Sequence, residues 1–429
     1  MKRVMALLMV VLIAVSLVAC DMVGGGSVQK EGTVYWLNFK PEIDGLLHEL
    51  AERYTAEKGV EVKISTPPSG TYESTLLEQL ESTDPPTMFN MGNPNSLKQL
   101  GAYAADLTDT SIANQVSVSD YNLTNEDGKI VAVGYCSECF GIVVNPDFLP
   151  LVGMKIEDIK DYESLKSAVE IIHNNEFWLG YDAFAPIDFS DESSWKYTAH
   201  LADIEYAYEY RASRGWPECP ATLTGEYMEN FRNMYDLIVN NCSVSPEELS
   251  TGKYNGLQDF MDGKAAFYLT GSWDYAAIVK EIPNAVMIPL YCGVNGETNA
   301  GLCSGTENRL AVNGKVSEKT QKATINFMVW LVSDSDASAA LSKELGPLPF
   351  KKAVADTENG FLNDAAKYRE DGCYNLPWAF YYQPDSENYR ADLAAALKSY
   401  NSDQSDERWE NVRSAMIDNW MKCYIKDNE

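Results

Sequence analysis

Hydrophobic and polar residues show two periodicities, that of a strand and that of a helix, where the folded part of the chain begins. Residues 33–39 (TVYWLNF) have the composition of a β-strand. Apolar residues at helical spacing follow, at Ile43, Leu46, Leu47, Leu50, Ala51 and Tyr54. They predict an amphipathic helix that ends at Gly59, and residues 60–64 (VEVKI) then alternate as a second strand. The pattern predicts a β-α-β unit with parallel strands and a right-handed crossover.

Strands and helices continue to alternate along the chain. We expect a helix at 72–80 and strands at 87–91, 285–290 and 309–312, with helices again at 320–331 and near the C-terminus. The long strand-forming segment 129–145 (KIVAVGYCSECFGIVVN) suits a strand that crosses between two lobes. Alternation of this kind predicts an α/β fold, and 429 residues favour two lobes rather than one core.

Residues 259–275 (DFMDGKAAFYLTGSWDY) combine a helix end, a short apolar strand and a turn. Gly263 closes the helix, residues 265–269 form the strand, and Gly271-Ser272 turns the chain so that Trp273 stands just beyond it. A lone tryptophan is more often part of a core. The alternative is that this turn holds an aromatic face at a fixed place for a ligand.

The N-terminus has the pattern of a secretory signal. Lys2 and Arg3 precede an apolar run over 4–19, and Cys20 follows. The end of the run resembles a bacterial lipobox, so we expect residues 1–19 to be removed and Cys20 to carry lipid; the alternative is an ordinary signal peptide with a chance cysteine. Residues 20–31, which are rich in glycine, would form a flexible tether. This predicts a lipid-anchored protein outside the cytoplasm.

Composition narrows the classes of partner. A net charge of −29 argues against binding to nucleic acid or to an anionic membrane surface through a basic patch. The 25 tyrosines and nine tryptophans favour partly solvated surfaces such as sugar-binding sites, because each ring combines an apolar face with a polar O–H or N–H group.

Eight cysteines remain besides Cys20, an even number that makes disulfides plausible in an exported chain. Proximity in sequence suggests pairing of Cys292 with Cys303 and of Cys219 with Cys242, although connectivity does not follow from sequence. Cys136 and Cys139 have the spacing of a redox pair but lie in a strand-like run, where a thiolate is not stabilised. No cofactor or metal is expected, since zinc would need two such pairs or nearby histidines.

Signatures of catalysis are mostly missing. The sequence has no Gly-x-Ser-x-Gly, His-Glu-x-x-His or Walker motif, and His48, His173 and His200 are more simply surface or packing residues. With 63 acidic residues, a glycosidase-like carboxylate pair stays open, because sequence spacing does not reveal it.

Three segments carry a resemblance to a known family. Residues 262–267 (DGKAAF) with Gly271-Ser272-Trp273 resemble extracellular solute-binding proteins of family 1, the carbohydrate-binding lipoprotein subunits of bacterial ABC importers. Residues 137–145 are similar to the family's first hinge segment, and residues 345–350 to a later crossing. The resemblance covers essentially the whole mature chain, although Cys136 and Cys139 lie outside the family pattern.

The resemblance implies a two-lobe fold of the periplasmic-binding-protein type II class, with hinges and a ligand cleft between the lobes. We expect lobe 1 to comprise residues 32–143 and 305–345, and lobe 2 residues 144–304 and 346–429. It further implies a monomer that captures an oligosaccharide and delivers it to the permease subunits of an ABC transporter. The alternatives are a secreted glycan-active enzyme and a glycan-binding surface protein with no role in transport.

Candidate site residues follow from sugar chemistry and from the rule that ligands lie beyond the carboxyl ends of strands. Rings would cover the C–H faces of the sugar: Tyr72, Trp195, Trp273, Trp378 and Tyr381. Polar side chains would bind its hydroxyl groups: Asn38, Glu42, Asn90, Glu138 and Asp274. Three of these have alternatives: packing for Trp195, capping of a backbone amide for Glu138, and interaction with the positive end of its helix for Glu42.

Overall fold

A computed structural model describes residues 30–429 except 69, 93–95, 118, 217 and 355–357. Cys20, the signal segment, most of the tether and Asn93 lie outside the described residues. The strands, in chain order, are β1 Val34–Leu37, β2 Val62–Ser65, β3 Met88–Asn90, β4 Leu123–Thr124, β5 Ile130–Gly134, β6 Glu138–Val144, β7 Asp182–Phe184, β8 Ala265–Gly271, β9 Val286–Ile288, β10 Ala300–Gly305, β11 Arg309–Val312 and β12 Tyr374–Pro377.

Helices cover the faces of the sheets. In chain order they are α1 Asp44–Lys58, α2 Tyr72–Leu80, α3 Ser96–Leu100, α4 Tyr162–His173, α5 Glu176–Leu179, α6 Asp203–Ala212, α7 Met228–Val239, α8 Pro246–Thr251, α9 Gly256–Met261, α10 Tyr275–Glu281, α11 Glu318–Ser333, α12 Ser335–Leu345, α13 Gly360–Glu370, α14 Ser386–Tyr400, α15 Asp406–Arg413 and α16 Asn419–Asn428. A π-helical turn, Lys196–Leu201, precedes α6, and 3₁₀ turns occur at Ser272–Asp274 and Ala379–Tyr382.

The strands form two sheets. One hydrophobic cluster packs on the second sheet, and two separate clusters share the strands of the first. The first sheet has the order β2-β1-β3-β11-β5-β4, and the second β12-β10-β6-β8-β7 with β9 paired to β6. β1 pairs in parallel with β2 and β3, as the predicted β-α-β unit requires. Gly59 ends α1 with a φ of 68°, a left-handed conformation that glycine adopts at little cost. The predicted two-lobe α/β fold is confirmed.

The chain passes between the lobes at short segments. β5 lies in the first sheet and β6 in the second, so residues 135–137 make the first crossing. The return runs through 306–308, since β10 and β11 lie in different sheets. β6, which begins at Glu138, therefore belongs to lobe 2, whereas the predicted boundary assigned residues up to 143 to lobe 1. Phe350 packs in the core of lobe 1, and its backbone bridges to Val116. Lobe 1 therefore extends beyond the predicted boundary at residue 345.

The suggested disulfides are wrong. Cys292, Cys303 and Cys242 are thiols in the structure. Cys303 lies inside β10 opposite Phe140, whereas Cys242 directs its sulfur to the carbonyl of Val244 at 3.0 Å. Burial raises the pKa of Cys292 to about 12, so its thiolate is disfavoured. Within the described part of the chain, no helix is both long and apolar enough to cross a membrane.

Candidate functional site

Trp273 stands at the carboxyl end of β8, in the 3₁₀ turn that the strand runs into. β8 is buried along its whole length between β6 and β7, which makes it a rigid support. The half-buried indole lies against the backbone of Gly271, where an added Cβ would come within 2.2 Å of the ring. Glycine at 271 therefore permits this position of the indole, and the turn fixes an aromatic face at the sheet edge.

A second half-buried indole completes an aromatic surface with Trp273. The ring centroid of Trp195 lies 5.6 Å from that of Trp273, with an interplanar angle of 56°. Behind the pair, His200 stacks on Phe140 with centroids 4.3 Å apart and approaches Trp273 to 5.5 Å. Burial, and then the charges of Arg390 and Lys196, hold the pKa of His200 well below its usual range. His200 is therefore neutral. We call the surface formed by Trp195, Trp273, His200 and Phe140 the aromatic wall.

Trp378 and Tyr381 extend the wall but lie deeper. Both are nearly fully buried, and Trp378 approaches His200 to 5.0 Å. Their rings close over Gly305, where an added Cβ would meet the Tyr381 hydroxyl at 2.7 Å and the Trp378 ring at 2.8 Å. Among the described residues, Trp378 Nε1, the Tyr381 hydroxyl and His200 Nδ1 have no hydrogen-bond partner. Each buried polar group without a partner lowers the stability of the fold by about 1–3 kcal/mol. These three groups are therefore available to form hydrogen bonds with a ligand.

A charged cluster joins the two lobes at the first crossing. Lys40 Nζ lies 2.5 Å from Glu138 Oε1 and 2.6 Å from Glu42 Oε1. Asn308, in the return crossing, donates from Nδ2 to Glu138 Oε2 at 2.6 Å. Burial opposes the charge of Lys40, but Glu138 and Glu42 outweigh it and raise its pKa. Glu138 is therefore part of an ion pair between lobes, and it does not cap a backbone amide.

Asp274 belongs to a separate chain of polar contacts next to the indoles. Lys196 Nζ donates to Thr270 Oγ1 at 3.0 Å, and that hydroxyl donates to Asp274 Oδ2 at 2.5 Å. Burial lowers the pKa of Lys196 to about 8 against the attraction of Asp274, and burial likewise raises the pKa of Asp274. Lys196 Nζ also lies 4.8 Å from the centroid of the Trp195 ring, so it helps to fix that indole.

Three of the predicted residues are occupied with internal contacts. Asn38 is fully buried and bonds the backbone of Lys40 through both its Nδ2 (2.7 Å) and its Oδ1 (3.0 Å). Asn90 accepts from the backbone N–H of Arg309 at 3.0 Å. The Tyr72 hydroxyl joins the carbonyl of Leu37 (3.1 Å) to the N–H of Asn90 (2.7 Å). These residues hold the strand ends of lobe 1 in place, and Tyr72 belongs to the core.

Sequence reasoning missed Lys196, His200 and Phe39 as members of this region. Phe39 is 36 % exposed and packs edge-on against Tyr72 at 5.3 Å, so it presents a ring where Tyr72 does not. Lys196 offered a signal, a lysine directly after a tryptophan at the start of a dense aromatic run. Nothing in the sequence indicates that His200 packs against both indoles.

The lobes touch beyond the crossings. An added Cβ at Gly70, in the loop after β2, would lie 3.6 Å from the carbonyl of Asp191 in the loop before Trp195. Lys98 on α3 donates to Asn428 on α16 at 2.9 Å. Arg309 lies over the ring of Tyr381, with its guanidinium carbon 5.3 Å from the centroid. The two lobes are therefore in contact at several places besides the crossings, and one of these contacts involves Tyr381, which extends the aromatic wall.

Known structures share this two-lobe fold. RafE in complex with raffinose matches with a TM-score of 0.69 at 16 % identity, over 91 % of this chain and 99 % of RafE. A sugar transporter from Bacillus licheniformis in complex with stachyose matches with a TM-score of 0.64 at 18 % identity, over 91 % and 99 % of the two chains. A Streptococcus pneumoniae solute-binding protein in complex with the blood group A-trisaccharide gives 0.64 at 17 % identity, over 92 % and 100 %. At these identities the likeness establishes the fold.

Among curated proteins no sequence matches this chain. The model of a protein family does match, over residues 49–369, and its description is bacterial extracellular solute-binding protein. That range begins in α1 and reaches α13, so it includes both crossings and Trp195, His200 and Trp273, whereas Trp378 and Tyr381 lie beyond it. The chain belongs to the family of bacterial extracellular solute-binding proteins.

Proposed function

We propose that this protein is a lipid-anchored receptor that captures an oligosaccharide between its lobes and delivers it to the permease of an ABC importer. The observation that carries the proposal is the pair of half-buried indoles, Trp195 and Trp273, whose ring centroids lie 5.6 Å apart at the carboxyl end of β8. Flat aromatic faces suit the C–H faces of pyranose rings. A receptor also needs this surface to be rigid, which the buried strand and Gly271 provide.

The polar groups around the indoles favour a neutral ligand. Asp274 faces Lys196 through Thr270, and Glu42 and Glu138 share Lys40, so these carboxylates and ammonium groups are paired. An anionic or cationic ligand would have to break one of these pairs. Hydroxyl groups of a sugar could instead bond to the paired carboxylates and to the unused donors of Trp378 and Tyr381. Neutral oligosaccharides are therefore the expected class.

The ligands in complexes of structural neighbours support the same class. Raffinose, stachyose and the blood group A-trisaccharide are bound by proteins that share this fold. All three ligands are short oligosaccharides, long enough to cover more than one aromatic ring. They form the first panel of compounds to test on this chain.

Capture would work by closure of the lobes. A ligand that touches both lobes only when they are together binds that state more tightly and shifts the population toward it. The contacts of Lys98 with Asn428 and of Arg309 with Tyr381 lie between lobes, so they would form and break with this motion. The short crossings at 135–137 and 306–308 would act as the hinges.

The anchor is proposed from the pattern that ends at Cys20. Mass spectrometry of the membrane fraction should find the mature N-terminus at Cys20 with an attached diacylglyceryl group. Cys20→Ala should release the protein from the membrane fraction. An unmodified N-terminus on membrane-free protein would contradict the anchor without affecting sugar binding.

Calorimetry with the oligosaccharide panel tests the central proposal. We expect saturable binding of at least one neutral oligosaccharide, and Trp273→Ala should abolish it. Trp178→Ala is the matched control, because Trp178 is 83 % exposed and lies on α5, away from the wall. Unchanged affinity in Trp273→Ala would overturn the assignment of the site. Cleavage products formed by purified protein alone would identify a glycan-active enzyme instead.

A further inference from the structure

His173, Glu176 and Asp182 come together on the outer side of lobe 2. They lie at the end of α4, at the start of α5 and at the start of β7, respectively. One ligand atom from each lies within 4.8 Å of the others. Two carboxylates and an imidazole converge here, and all three come from a stretch of ten residues, 173–182.

Asp182 is the informative member of this cluster. Its side chain is only 3 % exposed, and its Oδ1 accepts from the backbone N–H of Ala183 at 2.6 Å and contacts His173 Nδ1 at 2.8 Å. Its other oxygen, Oδ2, is buried and has no hydrogen-bond partner in the described part of the chain. A buried carboxylate oxygen without a donor is costly, and a second carboxylate nearby adds repulsion. A cation would relieve both.

We propose that His173, Glu176 and Asp182 bind a divalent transition-metal ion, with Zn²⁺ as the preferred ion. Imidazole nitrogen and carboxylate oxygen are both common zinc ligands, and imidazole disfavours Mg²⁺ and Ca²⁺, which prefer oxygen. Three protein ligands leave one tetrahedral position for water. The ion would tie α4 and α5 to the edge strand β7 and so stabilise that side of lobe 2.

This site is independent of the proposed sugar site. Asp182 pairs with Ala265, the first residue of β8, whereas Trp273 follows the last. The seven residues of β8 separate the two ends by about 20 Å, at about 3.3 Å per residue. Metal binding should therefore leave sugar affinity unchanged, and failure of either proposal would leave the other standing.

Titration of the purified chain with Co²⁺, followed by displacement with Zn²⁺, tests the inference. We expect one equivalent of Co²⁺ with visible absorption bands and no thiolate charge-transfer band, because the ligands include no cysteine. Glu176→Gln should weaken Zn²⁺ binding by about tenfold or more, since loss of even an indirect partner of a metal ligand costs about 10–100-fold. Glu176 is exposed, so this change should leave the fold intact.

Two control variants locate the ion. Glu170→Gln removes the same charge from an exposed position on α4 and should bind Zn²⁺ like the wild type. Trp178, two residues from Glu176, should be quenched by Co²⁺, and Trp178→Phe should remove that quenching without changing affinity. Absence of saturable binding, a thiolate band, or equal affinity in Glu176→Gln would each overturn the proposal.

Discussion

The indole of Trp273 rests on Gly271 so closely that a Cβ at position 271 would lie 2.2 Å from ring atom Cζ3. The backbone of Gly271 has a φ of −116°, which any residue adopts, so an added methyl group acts through the ring alone. We expect Gly271→Ala to displace the indole and to weaken oligosaccharide binding by about tenfold, which corresponds to about 1.4 kcal/mol. Isothermal calorimetry measures the change.

Gly45→Ala is the matched control for this substitution. Gly45 is exposed on α1, and an added Cβ would meet nothing within 4 Å. Alanine there should raise stability by about 0.5–1 kcal/mol through helix propensity and leave sugar affinity unchanged. Equal affinity in Gly271→Ala and wild type would mean that the position of the indole does not govern binding.

The sequence predicted helices and strands better than it predicted the burial of individual side chains. The first strand, α1 and Gly59 were all evident, because local periodicity and a helix-ending glycine decide them. The fold class followed from the alternation of strands and helices. Asn38 follows the end of β1 and Asn90 ends β3, so both lie at the carboxyl ends of strands of the first sheet. Their burial did not follow, because it depends on side chains that arrive from distant segments.

The aromatic wall shows the limit most clearly. Trp195 and Trp273 were both candidates, but their contact joins a π-helical turn to the end of a strand 78 residues later. Sequence spacing carries no information on such a contact. Tyr72 was predicted to face a ligand, yet its hydroxyl is used by two strands of lobe 1, and Phe39 beside it is the more exposed ring. Composition alone does not reveal which of two neighbouring rings is buried and which is exposed.

Glu138→Gln tests the ion pair between the lobes. The change leaves the buried ammonium of Lys40 with Glu42 as its remaining partner, and the Glu42 side chain is 34 % exposed. We expect the free energy of unfolding to fall by about 2–3 kcal/mol, somewhat less than the 3–5 kcal/mol typical when a buried pair is broken. Urea denaturation measures it. Glu170→Gln, which removes an exposed charge, should cost less than about 0.5 kcal/mol.

The double variant Lys40→Met with Glu138→Gln separates the pair from the individual residues. Removing the ammonium as well relieves the unpaired charge, so the double variant should be more stable than Glu138→Gln alone. A double variant that loses the sum of both single effects would show that Lys40 and Glu138 are not coupled.

Glu205 should make stability depend on pH. Burial, followed by a hydrogen bond with Glu209, raises the pKa of Glu205 from 4.5 to about 9. The folded chain therefore keeps a proton that the unfolded chain loses, and this contribution to stability declines as pH rises from about 4.5 to about 9. We expect Glu205→Gln, which mimics the protonated form, to flatten the fall of Tm between pH 6 and pH 9. Differential scanning calorimetry at several pH values measures Tm for both proteins. If Tm falls equally with pH in the wild type and in Glu205→Gln, the prediction is wrong.

Lys98 connects the lobes at the rim of the cleft, where it donates to Asn428 at 2.9 Å and lies 5.9 Å from the centroid of the Tyr424 ring. If the lobes close on a ligand, Lys98→Ala removes a contact of the closed state only. Exposed contacts of this kind contribute about 1 kcal/mol or less, so sugar affinity should fall by at most about fivefold. Small-angle X-ray scattering should show a larger radius of gyration for the ligand-free variant and contraction to the wild-type value when sugar saturates it. Lys343→Ala, an exposed lysine on α12 of lobe 1, should change neither quantity. A wild-type protein whose radius of gyration stays constant from zero to saturating sugar would refute capture by closure while leaving binding at the indoles intact.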